Sequence, residues 1–437
     1  MKKSYIIALL VITSTAFGQL EQRLARIDSL LKTLNANNKF MGSIALRQGD
    51  KLVFAKAYGF SDVVSKKPAD VNTHYKVGSI TKPFTAVLLM QLVDEKKISL
   101  DDKLSTFFPK MRNADKITVE MLLRHRSGIH EILGDEVIFQ NITRAHTRQE
   151  ITDRFATYQS DFEPGTKYEY SNSNYILLGY IIEDVTKKSY AENIRKRIVD
   201  KLNLKNTSAP QKIDFSKNDA ISATYDGQNW VVIPEWSNTL AFAAGALVST
   251  PSDLTLFMKA LFDGKLVSAA SLEKMKTIQE GYGLGLITLP FDSTIFYGHT
   301  GGIENFRSVV GYDPISKFGT SICVNGDNYD RNLIMQGVLA IYYGKDYQFP
   351  DLSEYKVSEG ILKSYTGTYA SPDFPLKITV TTENGKLMTQ ATGQSAFAVD
   401  PKSNTRFEFK PAGIVLEFSE GKMNLKQSGM NVDFTKE

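Results

Sequence analysis

A chain of 437 residues with 42% apolar and 23% charged residues has the length of two domains and the composition of a globular protein. A formal net charge of +4 over that length gives no basic surface for nucleic acid and no pull toward an acidic polymer. The single cysteine, Cys323, excludes an internal disulfide, and the five histidines never form a metal pair of the H-E-x-x-H kind, so neither metal nor cofactor is implied.

The N-terminus has the pattern of a secretory signal over residues 1–18. Lys2 and Lys3 are its basic start, Tyr5 to Ile12 its apolar core, and Ala16-Phe17-Gly18 a small-x-small cleavage site. The apolar run is too short to span a bilayer. The expectation is an exported chain, periplasmic or extracellular, starting near Gln19 and without a transmembrane span.

Leu20, Leu24, Ile27, Leu30, Leu31 and Leu34 recur at helical spacing. Two strands follow, Met41 to Arg47 and Leu52 to Tyr58, joined by a hairpin turn at Gln48-Gly49-Asp50-Lys51. A polar loop then leads to Val77-Gly78-Ser79-Ile80-Thr81-Lys82 and a long apolar run, Phe84 to Val93. That run predicts a buried helix, with Pro83 tolerated in its first turn. Ser79 and Lys82, three apart, share a face at its start. A lysine among apolar groups has a lowered pKa, and its neutral amine can take a proton from a serine hydroxyl. Taken alone, the S-x-x-K pattern also fits a serine that starts a helix and a lysine that reaches out to water.

From Lys96 to Trp236 the chain reads as helices with polar loops. Thr118 and Glu120 start a short helix that ends at Arg124-His125-Arg126-Ser127-Gly128, with Gly128 at the stop. Tyr170-Ser171-Asn172 follows a Pro164-Gly165 turn and precedes a helix from Tyr175 to Lys188; another runs from Tyr190 to Leu202. A phenol beside cationic groups can ionise below its usual pKa of about 10 and act as a base, so Tyr170 is a candidate. Asn172 offers a carbonyl and an NH₂ to a lysine or a substrate amide. Helix capping is the alternative use of this loop.

Thr250-Pro251-Ser252-Asp253 is a helix start with a cap, proline and an acid. Strands are expected at Tyr282 to Leu289, Ile295 to Gly298, Phe306 to Tyr312 and Phe318 to Asn325, with Cys323 in the core. A last helix runs from Asn332 to Tyr343. In Tyr297-Gly298-His299-Thr300-Gly301-Gly302 the glycines follow a strand. They would let a substrate backbone lie close, with His299 aimed at it and the Gly302 N–H free for an oxyanion. A tight turn with a surface histidine is the alternative. The first domain thus covers 19–344. Residues 345–359, with Pro350 and several charges, read as a linker, and 360–437 as a small all-β domain with hairpin turns at Asn384-Gly385 and Glu420-Gly421.

Ser-Ile-Thr-Lys at 79–82, Tyr-Ser-Asn at 170–172 and His-Thr-Gly at 299–301, in that order, resemble the penicillin-recognising serine hydrolases. The branch resembled holds class C β-lactamases, D-alanyl-D-alanine carboxypeptidases, D-aminopeptidases and esterases. The likeness covers roughly residues 44–344. It implies an α+β fold of the β-lactamase/transpeptidase type, an antiparallel sheet flanked by helices with a helical subdomain, and an accessory β domain behind it. It makes Ser79 the acylated nucleophile, with Lys82 and Tyr170 sharing the proton work. Asn172 would orient Lys82 and the substrate amide. His299 would hold the substrate carboxylate side and help polarise Tyr170, and Thr300, Gly301 and Gly302 would line the substrate. The N–H groups of Ser79 and Gly302 would form the oxyanion hole. Three departures stand out. His299 replaces the lysine usual in class C β-lactamases, Arg126 replaces a threonine, and Asn305 stands where a glycine is common and is expected to take a left-handed backbone.

The activity implied is hydrolysis of an amide or ester through an acyl-enzyme, foremost of a D-amino-acid peptide. β-Lactamase or small-acyl esterase activity uses the same machinery, and a penicillin-binding receptor with little turnover is the reading from another class. The partner is a small molecule or peptide; oligomeric state is left open.

Overall fold

The computed structural model describes residues 3–437 except positions 211, 327, 353, 354, 384, 395, 410, 411 and 428, with side chains from residue 18 onward save at 215. Of the features expected above, Lys2 and Asn384 lie outside the described residues. The chain divides into two compact units, one ending at Phe349 and the other beginning at Pro350.

The first unit opens with helix α1, Lys3–Ala36. It continues the expected Leu20–Leu34 helix back through the signal-like segment, which holds no proline and no glycine before Gly18. Ile27, Leu30, Leu31 and Leu34 are its buried stripe. Among the described residues no helix is long and apolar enough to cross a membrane.

The central sheet is built from β1 (Met41–Gln48), β2 (Lys51–Tyr58), β3 (Ile287–Phe291), β4 (Thr294–Ile303), β5 (Phe306–Asp313) and β6 (Phe318–Gly326). Their spatial order is β2-β1-β6-β5-β4-β3, antiparallel throughout. Two short strands, Ala223–Tyr225 and Trp230–Val232, extend it at the end of β6. All nine residues of β6 are buried, Cys323 among them, as a strand covered on both faces requires. Helix α2 (Thr81–Asp94) is buried nearly all round and belongs to the main apolar core. Phe84 on it stacks on Phe257, which lies on the Thr250-capped helix Pro251–Phe262.

Two expected elements differ. The segment from Tyr282 is not a strand: Tyr282 makes one isolated bridge to Gln279, and pairing with the sheet starts at Ile287. A Cβ at Gly283 would lie 2.2 Å from the Met275 carbonyl oxygen, and one at Gly285 2.6 Å from the Ala86 side chain. These glycines press the segment onto its neighbours instead of into the sheet. The His-Thr-Gly-Gly stretch, conversely, does not follow a strand but lies inside β4, paired with β5 from His299–Val310 to Gly302–Arg307. The turn comes later, and Glu304, not Asn305, takes the left-handed conformation there (φ 50°). Asn305 instead accepts no strain. Its backbone N–H donates to Ser222 Oγ (3.0 Å) and its side-chain amide to the Ala223 carbonyl (2.8 Å).

The second unit begins with a short helix, Glu359–Tyr365, where only β structure was expected. Leu362 is buried and Tyr365 stacks on Phe418, so the helix is part of this unit's core. Eight strands follow as a meander from Gly367–Ser371 to Met430–Lys436. They close into a barrel when the first pairs with the last at Tyr369–Lys436. Alternate side chains, among them Val380, Leu387, Val399, Phe407, Leu416 and Phe434, fill its interior.

Candidate active site

Ser79 lies in a single 3₁₀ turn, Gly78–Ile80, that runs directly into α2. The turn continues into the first turn of α2, so Ser79 and Lys82, three apart, face the same side and their side chains meet. Lys82 Nζ is 2.9 Å from Ser79 Oγ. Ser79 is part-exposed, whereas Lys82 is wholly buried. Burial pulls the Lys82 pKa down to about 7, against the pull of the nearby Glu131 carboxylate.

Two more acceptors hold the amine. Asn172 Oδ1 is 2.7 Å away and the Ala244 carbonyl oxygen 2.9 Å. Asn172 is the first residue of α3 (Asn172–Thr186), three positions earlier than the sequence pattern predicts. Ala244 belongs to α4 (Asn238–Gly245), which is broken at Phe242 (φ 34°, ψ −129°). A bulky residue with that backbone is strained, and its ring is locked between Tyr180 and Tyr190. Past the break, the Ala243 and Ala244 carbonyls accept from Thr85 and Lys82 on α2.

Tyr170 Oη donates to Ser79 Oγ at 2.8 Å. Its ring lies 4.8 Å from Lys82 Nζ and 4.3 Å from the His125 ring. Burial pushes the Tyr170 phenol well above its ordinary pKa. This corrects the expectation of a readily ionised phenol: the adjacent amine is close to neutral and does not offset desolvation.

His125, at the C-terminal end of the short helix Val119–Leu123, carries the left-handed backbone (φ 55°) that caps it, a place expected for Gly128. Its Nδ1 lies 3.2 Å from the Ser171 N–H, its ring is fully buried against Tyr170, Tyr175 and Tyr282, and burial keeps it neutral.

His299 is also buried, and its pKa falls to about 3. Nδ1 is 2.5 Å from the Thr300 carbonyl oxygen and Nε2 2.9 Å from Tyr282 Oη. A carbonyl only accepts, so Nδ1 carries the hydrogen and Nε2 accepts from Tyr282. Both ring nitrogens are thus taken, and the polarising contact expected with Tyr170 is replaced by one with Tyr282. Thr300 is part-exposed, Gly301 buried and Gly302 exposed. A Cβ on Gly301 would fall 1.9 Å from the Val77 carbonyl oxygen, so only glycine lets β4 lie against the serine turn. Lys76 and Glu304 lock the same contact from behind. Lys76 Nζ donates to Glu304 Oε1 (2.6 Å) and the Trp236 carbonyl (3.0 Å), with both charged side chains nearly inaccessible.

All the expected site residues therefore converge on one edge of the sheet. Reading the sequence missed Glu131, the Ala244 carbonyl, His125, Tyr282 and the Lys76–Glu304 pair. His125, Ala244 and Tyr282 fall within stretches that resemble the family around the three motifs; Glu131 and the Lys76–Glu304 pair carry no local signal.

Against this geometry, the sequence profile of the Beta-lactamase family matches residues 27–340. The chain belongs to the Beta-lactamase family. It is a penicillin-recognising serine hydrolase by family, with the β-lactamase/transpeptidase-like fold. Penicillin-binding protein 4* of Bacillus subtilis is 26% identical over 428 residues, covering 90% of this chain and 93% of that protein. Protein flp of Staphylococcus aureus is 29% identical over 298 residues, covering 65% of this chain but only 59% of its own length. Among solved structures, the D-amino acid amidase of Ochrobactrum anthropi SV3 superposes with a TM-score of 0.65 at 28% identity, over 74% of this chain and 96% of the amidase. The octameric penicillin-binding protein homologue of Pyrococcus abyssi gives 0.67 at 25%, over 94% of this chain and 99% of the homologue, so the likeness extends into the barrel unit.

Proposed function

We propose that this β-lactamase-family hydrolase is exported by its N-terminal segment and cleaves the amide bond of a D-amino-acid peptide or amide through an acyl-enzyme on Ser79. The observation that carries the reading is the set of three contacts around Lys82. A neutral amine has two N–H groups and one lone pair. Asn172 Oδ1 and the Ala244 carbonyl can only accept, so they take both N–H groups, and the lone pair is left facing Ser79 Oγ.

Chemistry follows from that arrangement. The Ser79 hydroxyl gives its proton to Lys82 as Oγ bonds to the substrate carbonyl carbon. The oxyanion is received by the N–H groups of Ser79 and Gly302. Tyr170, which keeps its proton at neutral pH, passes it to the leaving nitrogen and regains one from Lys82, so the C–N bond breaks with protons balanced. Water then cleaves the Ser79 ester by the reverse route. Neutral His299 supplies shape and hydrogen bonding at the substrate-lining strand rather than a fixed charge. The kinship to a penicillin-binding protein and to a D-amino acid amidase supports a D-configured amide.

Mass spectrometry of the full chain after a fluorescent penicillin, with Ser79→Ala beside it, tests the reading. A lasting adduct on Ser79 that the variant lacks, together with release of amine from D-amino-acid amides, is the expected result. An adduct that forms and is quickly lost would make the protein a β-lactamase. No adduct, with p-nitrophenyl ester cleavage that needs Ser79, would make it an esterase. An adduct without turnover of any amide would leave a receptor.

A further inference from the structure

We propose that Glu131 is a positioning residue, whose carboxylate fixes which end of the Asn172 amide faces Lys82. The inference rests on the acyl-enzyme reading above.

The two ends of an asparagine amide have nearly the same shape and opposite hydrogen-bonding character. With Oδ1 toward Lys82, the amine spends an N–H on Asn172 and keeps its lone pair for Ser79. With Nδ2 toward Lys82, the amide would donate to that lone pair and the base would be lost. Nothing on the Lys82 side decides between the two, because an amine can both donate and accept. The decision comes from behind. Glu131 Oε2 accepts from Asn172 Nδ2 (3.2 Å) and also from the Asn172 backbone N–H. An ionised carboxylate cannot donate, so it accepts only the NH₂ end and turns Oδ1 to the amine.

Glu131 is itself held. Its other oxygen accepts from the Leu133 N–H (2.9 Å) and caps the turn Ile132–Gly134. Ile132 is fully buried, and its N–H donates to Ser173 Oγ (3.0 Å), whose hydroxyl donates to the His130 carbonyl (2.6 Å). The loop is thereby pinned to the first turn of α3, the turn that carries Asn172.

The same carboxylate acts on Lys82 through space. The other titratable groups facing the amine are Tyr170, Tyr175, His125 and His299. The phenols are held protonated and the imidazoles neutral by burial. Glu131 supports the ammonium form against desolvation, so its removal should let Lys82 lose its proton at a lower pH.

The test compares Glu131→Gln and Glu131→Ala in the full chain, reading the rate of Ser79 acylation by a fluorescent penicillin, with its saturation constant, from pH 5 to 9. The expected result for Glu131→Ala is a loss of about 10²-fold in the limiting rate, the cost of a misplaced catalytic group. Its rise with pH should be centred lower than in the parent. The near-isosteric Glu131→Gln keeps one acceptor oxygen, so it should lose less rate and show the same downward shift. Slower acylation with an unmoved midpoint in both variants would overturn the proposal, leaving Glu131 a structural cap. A weaker saturation constant with unchanged limiting rate and midpoint would also overturn it, placing Glu131 on the substrate. A parent chain that is not acylated at any pH would instead overturn the acyl-enzyme reading, and this inference with it.

Discussion

A Cβ placed on Gly78 would lie 2.7 Å from the backbone nitrogen of Gly302. The turn that holds Ser79 and the Gly302 end of β4 therefore touch, backbone to backbone, at the place proposed for the oxyanion. Gly78 also has a left-handed φ of 52°, which side chains disfavour. Gly78→Ala should push the Gly302 N–H out of register. We expect a loss of about 10²–10³-fold in turnover, the effect of losing one oxyanion donor. Steady-state kinetics on a p-nitrophenyl ester checks this, and an unchanged rate would show that Gly302 is not a donor.

The state of Lys82 sets the pH dependence. Its pKa of about 7 means the amine gains its lone pair as pH rises through neutrality. Acylation should climb about tenfold per pH unit below 7 and flatten above it. His299, with a pKa of about 3, should add no inflection between pH 5 and 8. A stopped-flow pH profile decides the matter; a plateau already reached at pH 5 would count against Lys82 as the base.

Tyr170 and Lys82 can be told apart. Tyr170→Phe removes the hydroxyl that donates to Ser79 and leaves the ring against His125. Acylation should fall by about 10²–10⁴-fold, as for a lost proton-transfer group, yet the inflection near pH 7 should persist. If that inflection vanished with the hydroxyl, the phenol would be the titrating base.

The Lys76–Glu304 pair ties the serine turn to the end of β4. Lys76→Met leaves a buried carboxylate without its partner and should cost about 3–5 kcal/mol, whereas Lys76→Met with Glu304→Leu should cost less. Glu304 already has a pKa raised above its usual 4.5 by burial. Between 4.5 and its raised folded value Glu304 holds a proton in the folded state that the unfolded chain has lost, so stability falls as pH rises through that window. The deficit of Lys76→Met should therefore shrink on acidification. Thermal melts at pH 4 and 7 give the comparison, and a pH-independent deficit would refute it.

Much of the site was legible in the linear chain because its determinants are local. Ser79 and Lys82 are neighbours by helical spacing alone, Thr250 and Pro251 start a helix by their own chemistry, and alternation along the C-terminal strands announces a sheet with one face inward. Residues far apart in the chain were tied to the site only through the order of three motifs. What the tertiary structure decided is what depends on groups brought together across the fold. Burial, not a local charge, sets the protonation of Lys82, Tyr170 and His299, and so favours the amine over the phenol as the proposed base. The third contact to Lys82 is a backbone carbonyl, which every residue has and no sequence pattern marks; it is aimed by a strained Phe242 that local propensity would never place there. Glu131 reads as one more loop acid until the fold puts it behind Asn172, because the direction of an amide is a property of what surrounds it.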